Sequence, residues 1–156
     1  MKIGVIGAGN WGKNLVKTLC RLGALAAVAE PSERLRSKLG ELYPQMALFA
    51  DYQTMLESEI QAVAIATPAP IHFQVAKAAF LADKDVFLEK PMTLSVKEAE
   101  ILISLAEERD RVLMVGHLLL YQPAIYWIKN YLSEGSLGRI FSLHQERMAL
   151  GRAQAV

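Results

Sequence analysis

The residues with the clearest chemical potential lie in the first thirty. Gly7-Ala8-Gly9-Asn10-Trp11-Gly12 sets three glycines in the spacing G-x-G-x-x-G, and Glu30 follows about twenty residues further on. An apolar run at residues 2–6 leads into the loop, and a helical pattern leads out of it from Asn10. In that strand–loop–helix setting each residue type has a role. Gly7 permits a tight turn, Gly9 lets backbone come close to a diphosphate, and Gly12 lets the helix pack on the strand. The unpaired N–H groups and positive dipole end of the helix favour phosphate. A carboxylate closing the second strand can accept hydrogen bonds from both hydroxyls of an adenosine ribose, and it repels a 2′-phosphate. The pattern predicts a nicotinamide-dinucleotide site that favours NAD. Arg34 and Arg36 follow closely and leave NADP open. The bland alternative is that the glycines only build a tight strand–helix turn.

Two further segments follow apolar runs. Ala66-Thr67-Pro68 comes after one of them, with His72 on the next helix, and Glu89-Lys90-Pro91 comes after the next. Strand carboxyl ends are where open α/β sheets bind ligands. Lys90 reads either as an ammonium turned into that cleft or as a surface lysine before a proline turn. His72 reads as support for the cofactor residues or as a helix histidine satisfied by nearby backbone. His117 could face substrate or sit in a loop after its strand. Trp11 reads as a packing residue shielding the glycine loop, with a cofactor contact as the alternative. Three scattered histidines and one cysteine make no metal-ligand spacing, and His144 is assigned no role. Cys20 falls on an apolar helix face and reads as a small packed hydrophobe.

The elements that must position these residues alternate. Strands are expected at 2–6, 25–30, 46–50, 62–66, 85–88 and 112–115, and helices at 10–22, 32–43, 52–57, 71–82 and 95–109. Gly23 should close the first helix in a left-handed conformation. Pro44 stops the second, Pro70 opens the fourth, and Ser95 with Glu98 suggests a capping box on the fifth. Several strands are unbroken apolar runs, the pattern of a parallel sheet covered on both faces. The fold class is α/β, a doubly wound parallel sheet. A domain boundary is placed at 118–122. Residues 1–120 form a dinucleotide-binding Rossmann domain, and 121–156 the start of an incomplete second α/β domain, with a helix at 123–132 and a strand at 137–148. That strand would have unpaired edges and is expected to pair with another copy or a partner chain.

Composition narrows the class. The chain has 156 residues, 53% hydrophobic and 21% charged, which suits one ordered domain with a core. A net charge of +1, from 17 basic and 16 acidic side chains, gives no footprint for nucleic acid or an anionic membrane surface. No apolar run reaches membrane-spanning length. A single cysteine suits a reducing, cytoplasmic setting.

Together the glycine loop, Ala66-Thr67-Pro68 with His72, and above all Glu89-Lys90-Pro91 within 86–92 resemble the Gfo/Idh/MocA oxidoreductases. Val115-Gly116-His117 with Pro123-Ala124 resembles the segment leading into that family's second domain. The resemblance runs from residue 2 to about 148. It implies hydride transfer between a nicotinamide cofactor and a hydroxyl of a sugar, cyclitol or nucleotide sugar. It makes Lys90 the active-site lysine, with Glu89 orienting Lys90 or bonding the nicotinamide ribose or amide, and His117 near substrate. It places Thr67 and Pro68 beside the cofactor. The candidate cofactor-binding set is thus Gly7, Ala8, Gly9, Asn10, Trp11, Gly12, Glu30, Thr67, Pro68, His72, Glu89 and Lys90. The candidate catalytic set is Lys90, Glu89 and His117. The run 116–121 and the segment 146–151 look closest to members linked with nucleotide sugars. The family's Asp-x-x-x-His acid/base segment does not occur in these residues. This keeps two other readings open: a non-catalytic NAD-binding module and one chain of a split enzyme. An S-adenosylmethionine or flavin protein tolerates the glycine spacing, but Glu89-Lys90-Pro91 argues against it.

Overall fold

The computed structural model describes residues 1–146. The chain divides into two compact units, Met1–His117 and Leu118–Val156. The first unit is built on six strands, β1 (Ile3–Ile6), β2 (Leu25–Ala29), β3 (Ala47–Phe49), β4 (Ala62–Ile65), β5 (Asp85–Leu88) and β6 (Leu113–Val115). They form one sheet in the order β3-β2-β1-β4-β5-β6, and every neighbouring pair is parallel. The connections are helical: α1 (Gly12–Arg21), α2 (Glu33–Leu42), α3 (Tyr52–Leu56), α4 (His72–Leu81) and α5 (Val96–Glu108). This is the doubly wound sheet that the apolar strand pattern predicted.

Alternate strand residues feed two cores. Val5, Val28 and Ala64 meet Val16 of α1 and Leu39 of α2. Ile6, Ala29, Val63, Ile65, Val86 and Leu88 meet Met55 of α3, Val75, Ala79 and Phe80 of α4, and Leu102 of α5. All four residues of β4 are buried, which is why that strand shows no polar alternation. Burying such side chains stabilises by about 1.5–3 kcal/mol each and holds the strand ends rigid beneath their loops.

Local signals mostly act where expected. Gly23 takes φ +65° beyond α1 and donates to Cys20 O. A short 3-10 turn, Ala69–Ile71, carries Pro70 into α4. Two expectations fail. Ser95 precedes α5 but makes no side-chain cap, so the capping box does not form. Its carbonyl instead accepts from the Thr93 hydroxyl at 2.7 Å. Cys20 is exposed, because the buried stripe of α1 runs through Gly12 and Val16.

In the second unit a 3-10 turn at Leu118–Tyr121 leads to α6 (Pro123–Ser133), with Pro123 in its first turn. Trp127 and Tyr131, one turn apart, stack with ring centroids 5.1 Å apart. The strand expected at 137–148 is not present over 137–146. A strand exists by pairing, and the described residues of this segment have no ladder; Gly138 closes a turn onto Gly135 O instead. Residues 147–148, and most of the segment 146–151, lie outside the described residues. No helix among the described residues is long and apolar enough to cross a membrane.

Candidate functional site

The strand order reverses between β1 and β4, which leaves a crevice at their carboxyl ends. The glycine loop fills the start of it. Gly7 has φ +86°, its N–H donates to Ala29 O of β2 at 2.8 Å, and a Cβ there would lie 3.0 Å from Ala66 O beyond β4. A Cβ on Gly12 would fall on the Gly7 carbonyl. Only glycine makes this turn. At Gly9 nothing lies within 4 Å of where a Cβ would be, so the loop is open on the side from which a diphosphate would approach.

On the β2 side, Glu30 is buried at 6% exposure. Its Oε2 accepts the Ala8 N–H at 2.8 Å and its Oε1 accepts the Ser32 N–H at 2.9 Å. The carboxylate is thus fixed against the glycine loop, each oxygen retaining a free lone pair. Ala8 spends its N–H on Glu30, so any anion at this loop would be left the N–H groups of Gly9, Asn10 and Trp11, which precede α1. Arg36 donates to Glu30 O at 2.8 Å and Pro31 O at 2.7 Å. That arginine braces the turn after β2.

On the β4 and β5 side the Thr67 hydroxyl oxygen is buried without a hydrogen-bond partner. Pro68 beside it is exposed. His72 is 1% exposed. Its Nε2 lies 2.9 Å from Thr67 O and its Nδ1 2.7 Å from Pro91 O. Both ring nitrogens are on backbone, the second of the two sequence readings, so His72 has no ring nitrogen left for direct cofactor binding, although it stands in the candidate cofactor-binding set. It ties the loop after β4 to the turn after β5. Glu89 is 7% exposed, and the Trp11 indole Nε1–H donates to its Oε1. Gly116 closes the other side: a Cβ there would lie 3.2 Å from Glu89 Oε1. Lys90 is exposed, and its bond to Pro91 is cis. His117 is exposed just beyond β6. Leu88 pairs with Val115, so Glu89-Lys90 and Gly116-His117 leave adjacent strands at the same edge.

The sequence reading missed Ser32 as a donor to Glu30, Arg36 as a brace, and the contact between Trp11 and Glu89. The last joins residues 78 apart in sequence and has no local signal. Gly116 had one: a small residue at a strand end beside a buried glutamate.

These residues fit a nicotinamide dinucleotide. From β2 through β1 to β4 the crevice is lined by a carboxylate, an open glycine cradle and an orphaned buried hydroxyl at Thr67, an order that suits adenosine, diphosphate and nicotinamide. The fold and site together define a dinucleotide-binding Rossmann domain. Residues 1–117 match the Gfo/Idh/MocA model, described as an oxidoreductase family with an NAD-binding Rossmann fold, and the chain belongs to that family.

Relatives agree. UDP-N-acetylglucosamine 3-dehydrogenase of Acidithiobacillus ferrooxidans is 37% identical over 150 residues, 96% of this chain and 46% of its own length. Its solved structure matches with a TM-score of 0.78 at 33% identity, over 84% of this chain and 43% of that one. A mutant of KijD10, a 3-ketoreductase from Actinomadura kijaniata solved with TDP-benzene and NADP, matches with a TM-score of 0.79 at 26% identity, over 90% and 46% of the two chains. Myo-inositol 2-dehydrogenase of Lactobacillus plantarum, at 21% identity, shares the fold with a TM-score of 0.82 over 90% of this chain and 43% of its own. The chain spans about half the length of the curated relatives it matches, 46% for the first of them.

Proposed function

We propose that this chain is the cofactor-binding portion of an NAD-dependent dehydrogenase acting on a hydroxyl of a nucleotide sugar. The observation that carries this is the Glu30 carboxylate, buried and held 2.8 Å from the glycine loop at Ala8 N. Two features favour NAD over NADP. A 2′-phosphate would sit against that carboxylate, and Arg36 already bonds two carbonyl oxygens. The nucleotide-sugar assignment is supported by the 37% identity to UDP-N-acetylglucosamine 3-dehydrogenase.

In this reading Glu30 accepts the hydroxyls of the adenosine ribose, and the N–H groups of Gly9, Asn10 and Trp11 take the diphosphate. Thr67 and Pro68 line the nicotinamide side. When bound, the cofactor's nicotinamide supplies the hydride acceptor or donor. Lys90 presents its exposed ammonium at the end of β5, where it favours negative charge growing on a substrate oxygen. His117, exposed beyond β6, faces the same edge. Proton removal and substrate positioning need further walls. Residues 121–156 would begin the domain that provides them.

Titration of the purified chain with NADH and NADPH, followed by cofactor fluorescence, tests the reading. NADH should bind at least about tenfold more tightly, about 1.4 kcal/mol. Absence of binding by either at millimolar concentration overturns it, and tighter NADPH binding overturns the preference.

A further inference from the structure

The contact between Trp11 and Glu89 is not needed to build the Rossmann fold, and it crosses the whole site. Trp11 precedes α1, at the exit of β1, while Glu89 leaves β5, two strands away across β4. Neighbouring strands lie about 4.8 Å apart, so the Trp11 and Glu89 side chains together bridge a two-strand separation of about 10 Å along the carboxyl edge of the sheet. The diphosphate cradle is at one end of that span and the Glu-Lys-Pro turn at the other.

Trp11 is 43% exposed, so the bond is not a by-product of core packing. Glu89, by contrast, is 7% exposed. A buried carboxylate needs donors, and an indole offers one N–H and no acceptor. One Glu89 oxygen, Oε1, is fixed by Trp11 on one side and by the missing side chain of Gly116 on the other. Its second oxygen is left for a donor in the groove. By strand order that groove region is the nicotinamide side, opposite the β2 side that Glu30 occupies.

We infer that Trp11 is a positioning residue: its indole N–H orients the Glu89 carboxylate for the nicotinamide half of the cofactor and couples the glycine loop to the Lys90 turn. The inference rests on the cofactor reading above. It assigns the tryptophan to the nicotinamide half even though its backbone belongs to the diphosphate loop. That separates it from a residue that only shields or shapes the loop, which would act on both halves alike.

The test compares NADH with ADP-ribose, which carries the adenosine and diphosphate but no nicotinamide, using calorimetric titration of the full chain. Trp11→Phe keeps the aromatic bulk and removes the donor. It should weaken NADH about tenfold, the factor expected for one lost bond to a charged acceptor, and leave ADP-ribose within about twofold. Gly116→Ala approaches Glu89 from the other side, leaves Trp11 intact, and should give the same selective loss. Thermal melts confirm that each variant is folded. Equal loss of both ligands, or no loss of NADH in either variant, overturns the positioning role while leaving the cofactor reading standing. Wild-type protein that binds neither ligand overturns the cofactor reading itself.

A spectroscopic measurement adds a readout independent of affinity. In Trp127→Phe, Trp11 is the remaining indole of the two. NADH should quench its emission by energy transfer, and ADP-ribose should not. Emission unchanged by saturating NADH would place the indole away from the nicotinamide half and overturn the inference.

Discussion

Glu30 and Glu89 are both glutamates at strand carboxyl ends of one sheet, 6% and 7% exposed, on opposite sides of the switch point. Glu30 is held by backbone: the N–H groups of Ala8 and Ser32 bond one oxygen each. Glu89 is held by a side chain, the Trp11 indole, with Gly116 leaving room. A carboxylate anchored by backbone keeps its place as long as the fold does. One anchored by a distant side chain can be re-aimed by a single substitution without disturbing the core. On the proposed reading, the adenosine end is therefore built as a fixed part and the nicotinamide end as an adjustable one.

The largest effect expected from this contrast is at Glu30. Glu30→Ala leaves the buried Ala8 donor and the part-buried Ser32 donor without their acceptor, which costs about 1–3 kcal/mol for each, or about 2–6 kcal/mol in all. NADH affinity should fall with it, by about a hundredfold or more. Glu89→Ala frees only the indole of a half-exposed tryptophan, which water can serve, and should cost no more than about 1 kcal/mol. Urea unfolding of both variants measures the two losses. If they came out equal, the distinction between fixed and adjustable ends would be gone.

His72 is the next largest. It gives the adjustable end its fixed floor, linking Thr67 O and Pro91 O while fully buried. His72→Ala opens a cavity and strands carbonyl groups on two loops, a loss of about 2–4 kcal/mol. The urea midpoint should drop with the denaturant slope unchanged. A shift below about 0.5 kcal/mol would mean that the two turns hold without it.

The same contrast explains what could be read from the sequence. The sheet was legible because each parallel strand is an apolar run and each helix lies between two of them; β4, buried throughout, is the clearest case. The turn between β1, α1 and the end of β2 was legible because Gly7, Gly12 and Glu30 act through local backbone, at spacings set by one strand, one helix and one strand. Trp11 reads from sequence as shielding the loop or touching the cofactor, and its bond to Glu89 has no local signal because that partner lies on another strand. His72 reads from sequence as support for the cofactor residues or as a histidine satisfied by backbone, and both its nitrogens lie on backbone carbonyls. Over its described residues, 137–146, the expected strand does not form, because loose alternation counts for little without a neighbour.

The smallest effect sharpens the reason for the contrast. Asp51 makes the same kind of bond as Glu30, accepting the Thr54 N–H at 2.8 Å ahead of α3, but it is exposed. The Thr54 N–H, and then the Thr54 hydroxyl, hold its carboxyl below its ordinary value of 3.8. A depressed folded-state value means the bond stabilises fully above that ordinary value and is lost as pH falls below it. Asp51→Asn should therefore lower the melting temperature slightly near neutral pH, and the two proteins should converge as pH falls through the range below 3.8. Water can replace this partner, whereas it cannot reach the Ala8 N–H beneath Glu30. A loss at Asp51 as large as that at Glu30 would show that the bond type, and not its burial, fixes the Glu30 carboxylate.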